Sequence, residues 1–436
     1  MHRALVRRPG SCIRLLAGTR AREIQFTRWV RNRSVSVSEM ARFAAKKTAA
    51  RVAGREVVAI QDTTELIYGG RKARANGFGP VGKGGNLGGL LLHPVLAVDA
   101  TSGALIGPVD LKIWNRAGEQ AGPRRGRATA EKESQRWIDA ARHAGEVLAA
   151  AAQITVISDR EGDIYEQFAC RPANVHLIVR ACQNRRIEPQ TQAENNELLF
   201  PFIDSQPEQG RLSVNIPAAP GRRARTAELT IRFASVEVRK PRHTLGGDLP
   251  EKIKLSVVDV HEIAAPDAVE PVHWRLLTTH DVASLGSARR IIDQYRMRWI
   301  IEEFFRTIKT AGFNIEDADI SDPNAMSNFV AAAAIAAVTV MQLVRARDGT
   351  TDQKLADAFD SMDQPILQAV SRQLEGKTAR QKNPHPEGSL AYGAWVLARL
   401  GGWTGYYGKP GPQVMRRGLE DFQRIKDGAT LELHDV

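Results

Sequence analysis

Two short apolar runs, "VVAIQD" and "ITVISD", each stop on an aspartate, Asp62 and Asp159, and a long amphipathic segment lies between them. Runs of this length bounded by polar residues read as buried strands. The intervening "AEKESQRWIDAARHAGEVLAAAA" spaces its apolar residues as a helix does. "GLLLHPVLAVDA", "GALIGPVDLKIW" and "VHLIVRA" are further strands, and "REGDIYEQFAC" is a helix with acids in its first turn. The resulting order, β-β-β-α-β-α-β, predicts a mixed α/β sheet with helices packed on it.

Around that block the chain changes character. Residues 1–50 read as a short, basic, helical N-terminal region, and the catalytic unit is expected to span 51–346. "YGGRKARANGFGPVGKGGNLGG" reads as a flexible basic loop. Its glycines are not a phosphate loop, because no G-K-[ST] precedes a helix. From about 183 to 283, "RLSVNIPA", "AELTIRFASVEVRK", "KIKLSVVDVHEI" and "VHWRLLTT" alternate polar and apolar residues, which predicts a β-rich insertion. Helical pattern returns from about 285 to 346. The tail, 347–436, is helical first and Gly/Pro-rich later. The apolar run Phe329–Val344 contains Thr and Gln and is shorter than the ~20 residues a membrane-spanning helix needs, so it reads as a buried helix.

The 436 residues include 61 Lys and Arg against 49 Asp and Glu, a net charge of +12. Such a surplus suits a polyanionic partner such as nucleic acid, and equally a generic basic protein or a membrane-surface binder. Three cysteines (Cys12, Cys170, Cys182) lack metal-ligand spacing and fit a reducing, cytoplasmic setting. The Arg-rich N-terminus has no long apolar core, so it is not read as a secretory signal.

A carboxylate at a strand end can point into the crevice at the sheet edge. It can also simply make a turn, as Asp62 before two threonines would. The third acidic position lies in "YRMRWIIEEFFRTIK". With Tyr295 at zero and about 100° per residue, Arg298 falls at about −60°, Glu302 at about −20° and Lys309 at about −40°. Ile300, Ile301, Phe304 and Ile308 fall on the opposite side, and Glu303 lies at the margin of both. Glu302 is therefore the candidate and Glu303 its flank. On periodicity alone a solvated face with i,i+4 ion pairs is the simpler account. Two aspartates and a glutamate without a His or Cys cluster are a ligand set for Mg²⁺ or Mn²⁺. Two such ions suit phosphodiester cleavage, and "GGRKARANG", "GPRRGRA" and "RACQNRR" supply basic surroundings for a nucleic-acid backbone.

"AIQDTTEL", "SDREGDIYE" and "YRMRWIIEEFFRTIK" resemble, in order and context, the three catalytic segments of insertion-sequence DDE transposases, in particular family four, which includes the transposase of transposon five. That group carries a Y-R-E-K signature. Tyr295, Arg298, Glu302 and Lys309 match its intervals of three, four and seven residues. "EKESQRW" and "ARLGGWTGYYGKPGP" also look family-like, and the resemblance covers about residues 22–425.

The resemblance implies an RNase H-like catalytic domain interrupted by the β-rich insertion, with helical N- and C-terminal regions. It implies that Asp62, Asp159 and Glu302 are the catalytic residues and hold two Mg²⁺ or Mn²⁺ ions. Water attacks at the element end, and the freed 3′-hydroxyl later joins target DNA, through a hairpin in the transposon-five type. Tyr295, Arg298 and Lys309 are expected to grip phosphates, Trp274 to stack on a flipped base, and Arg180 to contact DNA. The partners implied are double-stranded DNA and a second copy of the chain, met through the helical tail, in the bacterial cytoplasm on the nucleoid and without a membrane. Only 61 residues precede Asp62, fewer than a complete DNA-recognition domain of this group takes. A catalytically impaired or truncated remnant that binds DNA, or dimerises with an intact transposase and inhibits it, is the first alternative, and another RNase H-like nuclease the second. A glycosidase with paired carboxylates fits the basic surroundings poorly.

Overall fold

Four helices open the chain: α1 (His2–Arg7), α2 (Ile13–Ala17), α3 (Arg20–Arg31) and α4 (Val37–Ala49). Thr19 and Ser36 cap α3 and α4 by accepting from the Arg22 and Glu39 amides. In this computed structural model, residues 1–7, 10, 12–116, 129–189, 198–216, 223–242, 248–266, 269–310, 312–351, 353–406 and 408–432 are described. The basic segment "GPRRGRA" lies outside them.

Next come β1 (Glu56–Gln61), β2 (Thr64–Gly69), α5 (Arg71–Ala75), β3 (Gly79–Val81), β4 (Leu87–Asp99) and β5 (Leu105–Trp114). They are followed by α6 (Gln135–Val147), β6 (Gln153–Ser158), α7 (Tyr165–Ala169) and β7 (Val175–Arg180). The predicted order of major elements is therefore present, with three additions. The basic Gly-rich segment expected as a loop folds into α5, β3 and a short turn. Its close packing depends on glycine, since a Cβ on Gly89 would meet the Leu66 carbonyl at 2.1 Å.

The β-rich segment holds α8 (Leu199–Ser205), β8 (Gly210–Ile216), β9 (Arg225–Arg239), β10 (Lys252–Glu262) and β11 (His273–Thr278). These strands join the first block in one sheet, ordered β2-β4-β1-β6-β7-β11-β10-β9-β8, with β3 and β5 paired to β4. Strands β1, β6 and β7 are parallel, and β4 and β11 run against them. In the β1–β6 ladder Ile60 stands opposite Ile157. Asp62 and Asp159 each follow two residues later, so the pairing register alone brings the two aspartates level.

The pleat divides the core. Val57, Ala59, Val156 and Leu177 face α6, α7 and α8, while Val58, Ile60, Ile157 and Ile178 face the later helices. Those are α9 (Leu285–Arg296), α10 (Trp299–Lys309), α11 (Pro323–Ala346), α12 (Asp363–Leu374), α13 (Leu390–Leu400) and α14 (Pro412–Glu432). Helix α11 is long and apolar enough to cross a membrane by length and composition, but it is mostly buried inside the protein, as expected for Phe329–Val344. Its polar residues serve its neighbours: Asn328 donates to the Val30 and Val35 carbonyls, and Gln342 to those of Leu105 and Ile106. The tail folds back, with Met415, Leu419 and Phe422 of α14 in the same core.

The single helix expected over Tyr295–Lys309 is two helices. Arg298, Ile300 and Ile301 all bond to the carbonyl three residues back, which tightens the chain at the junction. The cause lies in the apolar stripes. Helix α9 buries Ala288, Ile291, Ile292 and Tyr295; α10 buries Ile300, Ile301, Phe304 and Ile308. A continuous helix would carry the first stripe onto Trp299, which is 62% exposed. The junction shifts the phase so that both stripes face the core. Tyr295 accordingly belongs to the buried stripe, not to an open polar face.

Candidate functional site

Asp62 leaves β1 on the α10 side of the sheet, and its side chain is 13% exposed. Its Oδ1 accepts from the Thr63 amide at 2.7 Å. Asp159 leaves β6 on the same side, and its Oδ1 accepts from the Glu161 amide at 2.9 Å as it caps a 3-10 turn, Arg160–Gly162. Each aspartate thus has one oxygen fixed by the backbone just beyond its strand. Glu302, in the first turn of α10, is 42% exposed. The Arg298 guanidinium joins it to the pair: Nη1 lies 3.3 Å from Asp62 Oδ2 and 3.1 Å from Glu302 Oε1.

The electrostatics follow from this geometry. Burial, and then the charge of Asp159, push Asp62 up to about 7, against the opposing pull of the Thr63 amide and Arg298. Burial works against the charge on Arg298, yet Tyr295, Asp62 and Glu302 together hold its pKa above the ordinary arginine value. Burial raises the Tyr295 hydroxyl and lowers Arg180.

The remaining expected residues divide into two groups. Tyr295 is buried between Arg180 and Arg298, and Trp274, half-buried on β11, meets its ring at 6.1 Å. Arg180, at the end of β7, donates to the His273 carbonyl at 2.8 Å. These residues line the same side of the sheet as the carboxylates. Lys309 is held apart. Its ammonium donates to the Glu65 carbonyl at 2.5 Å and lies 3.6 Å from Glu316, so it braces β2. Glu303 pairs with Arg345 at 3.0 Å, away from the carboxylates.

Two features were not assigned from sequence. Trp299 stands exposed beside the site, with the Arg298 guanidinium 5.7 Å from its ring centre. Its signal was an indole that breaks the apolar phase of its helix. Arg136 reaches the site from α6, and its only sequence signal was its place in the family-like "EKESQRW".

Among the described residues no three His, Cys, Asp or Glu side chains stand close enough to hold a metal ion as they are placed. The chemistry of the donor set nevertheless fits a hard divalent cation. All three donors are carboxylates, and two of them, the buried Asp62 and the partly exposed Asp159, repel one another. A cationic group, Arg298, already bridges Asp62 and Glu302.

Residues 169–339 match the family model described as the transposase DDE domain. The matched stretch contains Arg180, Trp274, Tyr295, Arg298, Glu302 and Lys309, and it begins after Asp62 and Asp159. This likeness supports a transposase of the DDE type, with DNA as its substrate.

Proposed function

We propose that this chain is a cut-and-paste DNA transposase of the family-four type, whose site is built from Asp62, Asp159 and Glu302. One observation carries the reading. Two aspartates stand level at the carboxyl ends of paired parallel strands, and Glu302 is tied to one of them through Arg298. The β5-β4-β1-β6-β7 part of the sheet, with only β4 reversed against its neighbours, supports an RNase H-like core. Residues 51–346 would form that catalytic unit, with the β-rich insertion extending its sheet.

Two Mg²⁺ or Mn²⁺ ions bound here would supply an activated water and stabilise the leaving oxygen of a cleaved phosphodiester. Asp62 and Asp159 would hold them through the oxygens that the backbone leaves free, and Glu302 would complete the set. Arg298 and Arg180 place positive charge where a DNA phosphate would lie. Trp274 offers a partly open aromatic face for an unstacked base, and Tyr295 orients both arginines. Lys309 reaches a phosphate only by leaving Glu65. The chain would act on the bacterial nucleoid as a dimer on DNA, paired through the outer faces of the tail.

Incubation with Mg²⁺ and DNA carrying the element ends is expected to give end cleavage followed by joining to target DNA. Asp62→Ala, Asp159→Ala and Glu302→Ala should each slow cleavage at least about 100-fold while DNA binding persists. Robust cleavage by any of the three removes that residue from the site. Cleavage without joining would identify a simple nuclease instead.

A further inference from the structure

A single guanidinium links the two strand ends that carry Asp62 and Asp159. Arg136, near the start of α6, is 10% exposed along its side chain. It lies against Trp114 and Trp137, 5.7 and 5.2 Å from their ring centres. Its Nε donates to Thr63 Oγ1 at 2.8 Å, its Nη2 to Glu161 Oε2 at 2.7 Å and its Nη1 to the Glu133 carbonyl at 2.9 Å. Thr63 and Glu161 are the residues whose amides fix Oδ1 of Asp62 and of Asp159. Both fixings therefore hang from the same planar group. Thr63 is braced from the other side as well. Its Oγ1 lies 2.8 Å from Nδ1 of the buried His93, whose Nε2 lies 3.2 Å from Gln61 Oε1.

We propose that Arg136 is a positioning residue that sets the separation of the Asp62 and Asp159 carboxylates, and through it the affinity of the site for divalent ions. The proposal rests on the reading of Asp62 and Asp159 as metal ligands. The pleat makes the linkage possible: Asp62 leaves β1 toward Arg298 beside α10, and Thr63, next in line, points back to Arg136 of α6. A guanidinium is rigid and presents several donors at fixed angles, so it can hold two acceptors at a fixed spacing. A lysine ammonium is a point charge on a flexible stem and cannot. Groups that orient metal ligands in this way commonly change affinity by about 10–100-fold.

The test uses the full chain and two readouts. Mn²⁺ binding to the wild type, and its loss in Asp62→Asn, judge the metal-site reading by themselves. Amide exchange at Thr63 and Glu161 in the metal-free protein judges Arg136 whether or not Mn²⁺ binds. Arg136→Lys and Thr63→Val are expected to speed exchange at those two amides. They should also weaken Mn²⁺ by roughly 10–100-fold, and the double variant should be little worse than either single one. Glu161, 63% exposed, should matter less, so Glu161→Gln is expected to weaken Mn²⁺ only a few-fold, as roughly expected for a screened contact. If Arg136→Lys does not fold, Thr63→Val, which removes the hydroxyl contacts to Arg136 and His93 and leaves the backbone in place, decides. Folded Arg136→Lys and Thr63→Val proteins with wild-type exchange and wild-type Mn²⁺ affinity overturn the proposal.

Discussion

Asp62 is held up to about 7 by burial and by its neighbour Asp159, so near neutral pH the metal-free protein carries it as a mixture of acid and carboxylate. The sign of the consequence is fixed by linkage. A carboxyl whose pKa is higher in the folded state than in the unfolded chain favours folding when protonated. That advantage is present below its ordinary value of 3.8 and is lost as pH rises toward about 7. Asp62→Asn should therefore stabilise the metal-free protein, by about 1–3 kcal/mol at pH 8 and by less at pH 5. Thermal melts at the two pH values check this. An equal or reversed effect would mean that Asp62 is not electrostatically penalised. Divalent-ion binding should strengthen through the same pH range, because the ion must displace the proton.

At the scale of elements, the two helices α9 and α10 show what helical phase can place and what it cannot. Glu302 could be separated from Glu303 because α10 runs unbroken from Trp299 to Lys309. In the structure Glu302 meets Arg298, and Glu303 meets Arg345. Tyr295 was misplaced because helical phase was counted across a junction that no proline or glycine announces. Lys309 keeps its phase but meets β2, a contact set by tertiary packing alone. Helix α11 shows another kind of element-level dependence. Asn328 is the only side chain among the described residues whose amide is given to both the Val30 and Val35 carbonyls, which flank the link between α3 and α4. Asn328→Ala leaves both carbonyls short of a donor and should cost about 2–3 kcal/mol. Urea melts measure the loss, and limited proteolysis should locate new cleavage between Arg31 and Ser36. Wild-type resistance at that link would show that α11 does not anchor it.

At the scale of the whole molecule, one sheet does the assembling. The two aspartates were legible as strand ends, since a short apolar run closed by a carboxylate has few other readings. Their adjacency was not legible, because it depends on β6 crossing over to pair with β1 in one particular register. Arg136 was invisible as a linker for a related reason: its partners Thr63 and Glu161 lie 73 and 25 residues away along the chain. The β-rich stretch was legible as strands but not as a continuation of the same sheet, because edge pairing leaves no mark on alternation. The proposed joining of Asp62, Asp159 and Glu302 into one divalent-ion site can be observed in a crystal. Anomalous diffraction from Mn²⁺-soaked crystals tests it most directly. Anomalous peaks bound by Asp62 and Asp159, with Glu302 on one of them, are expected; peaks elsewhere, or none at these carboxylates under saturating Mn²⁺, would overturn the assignment.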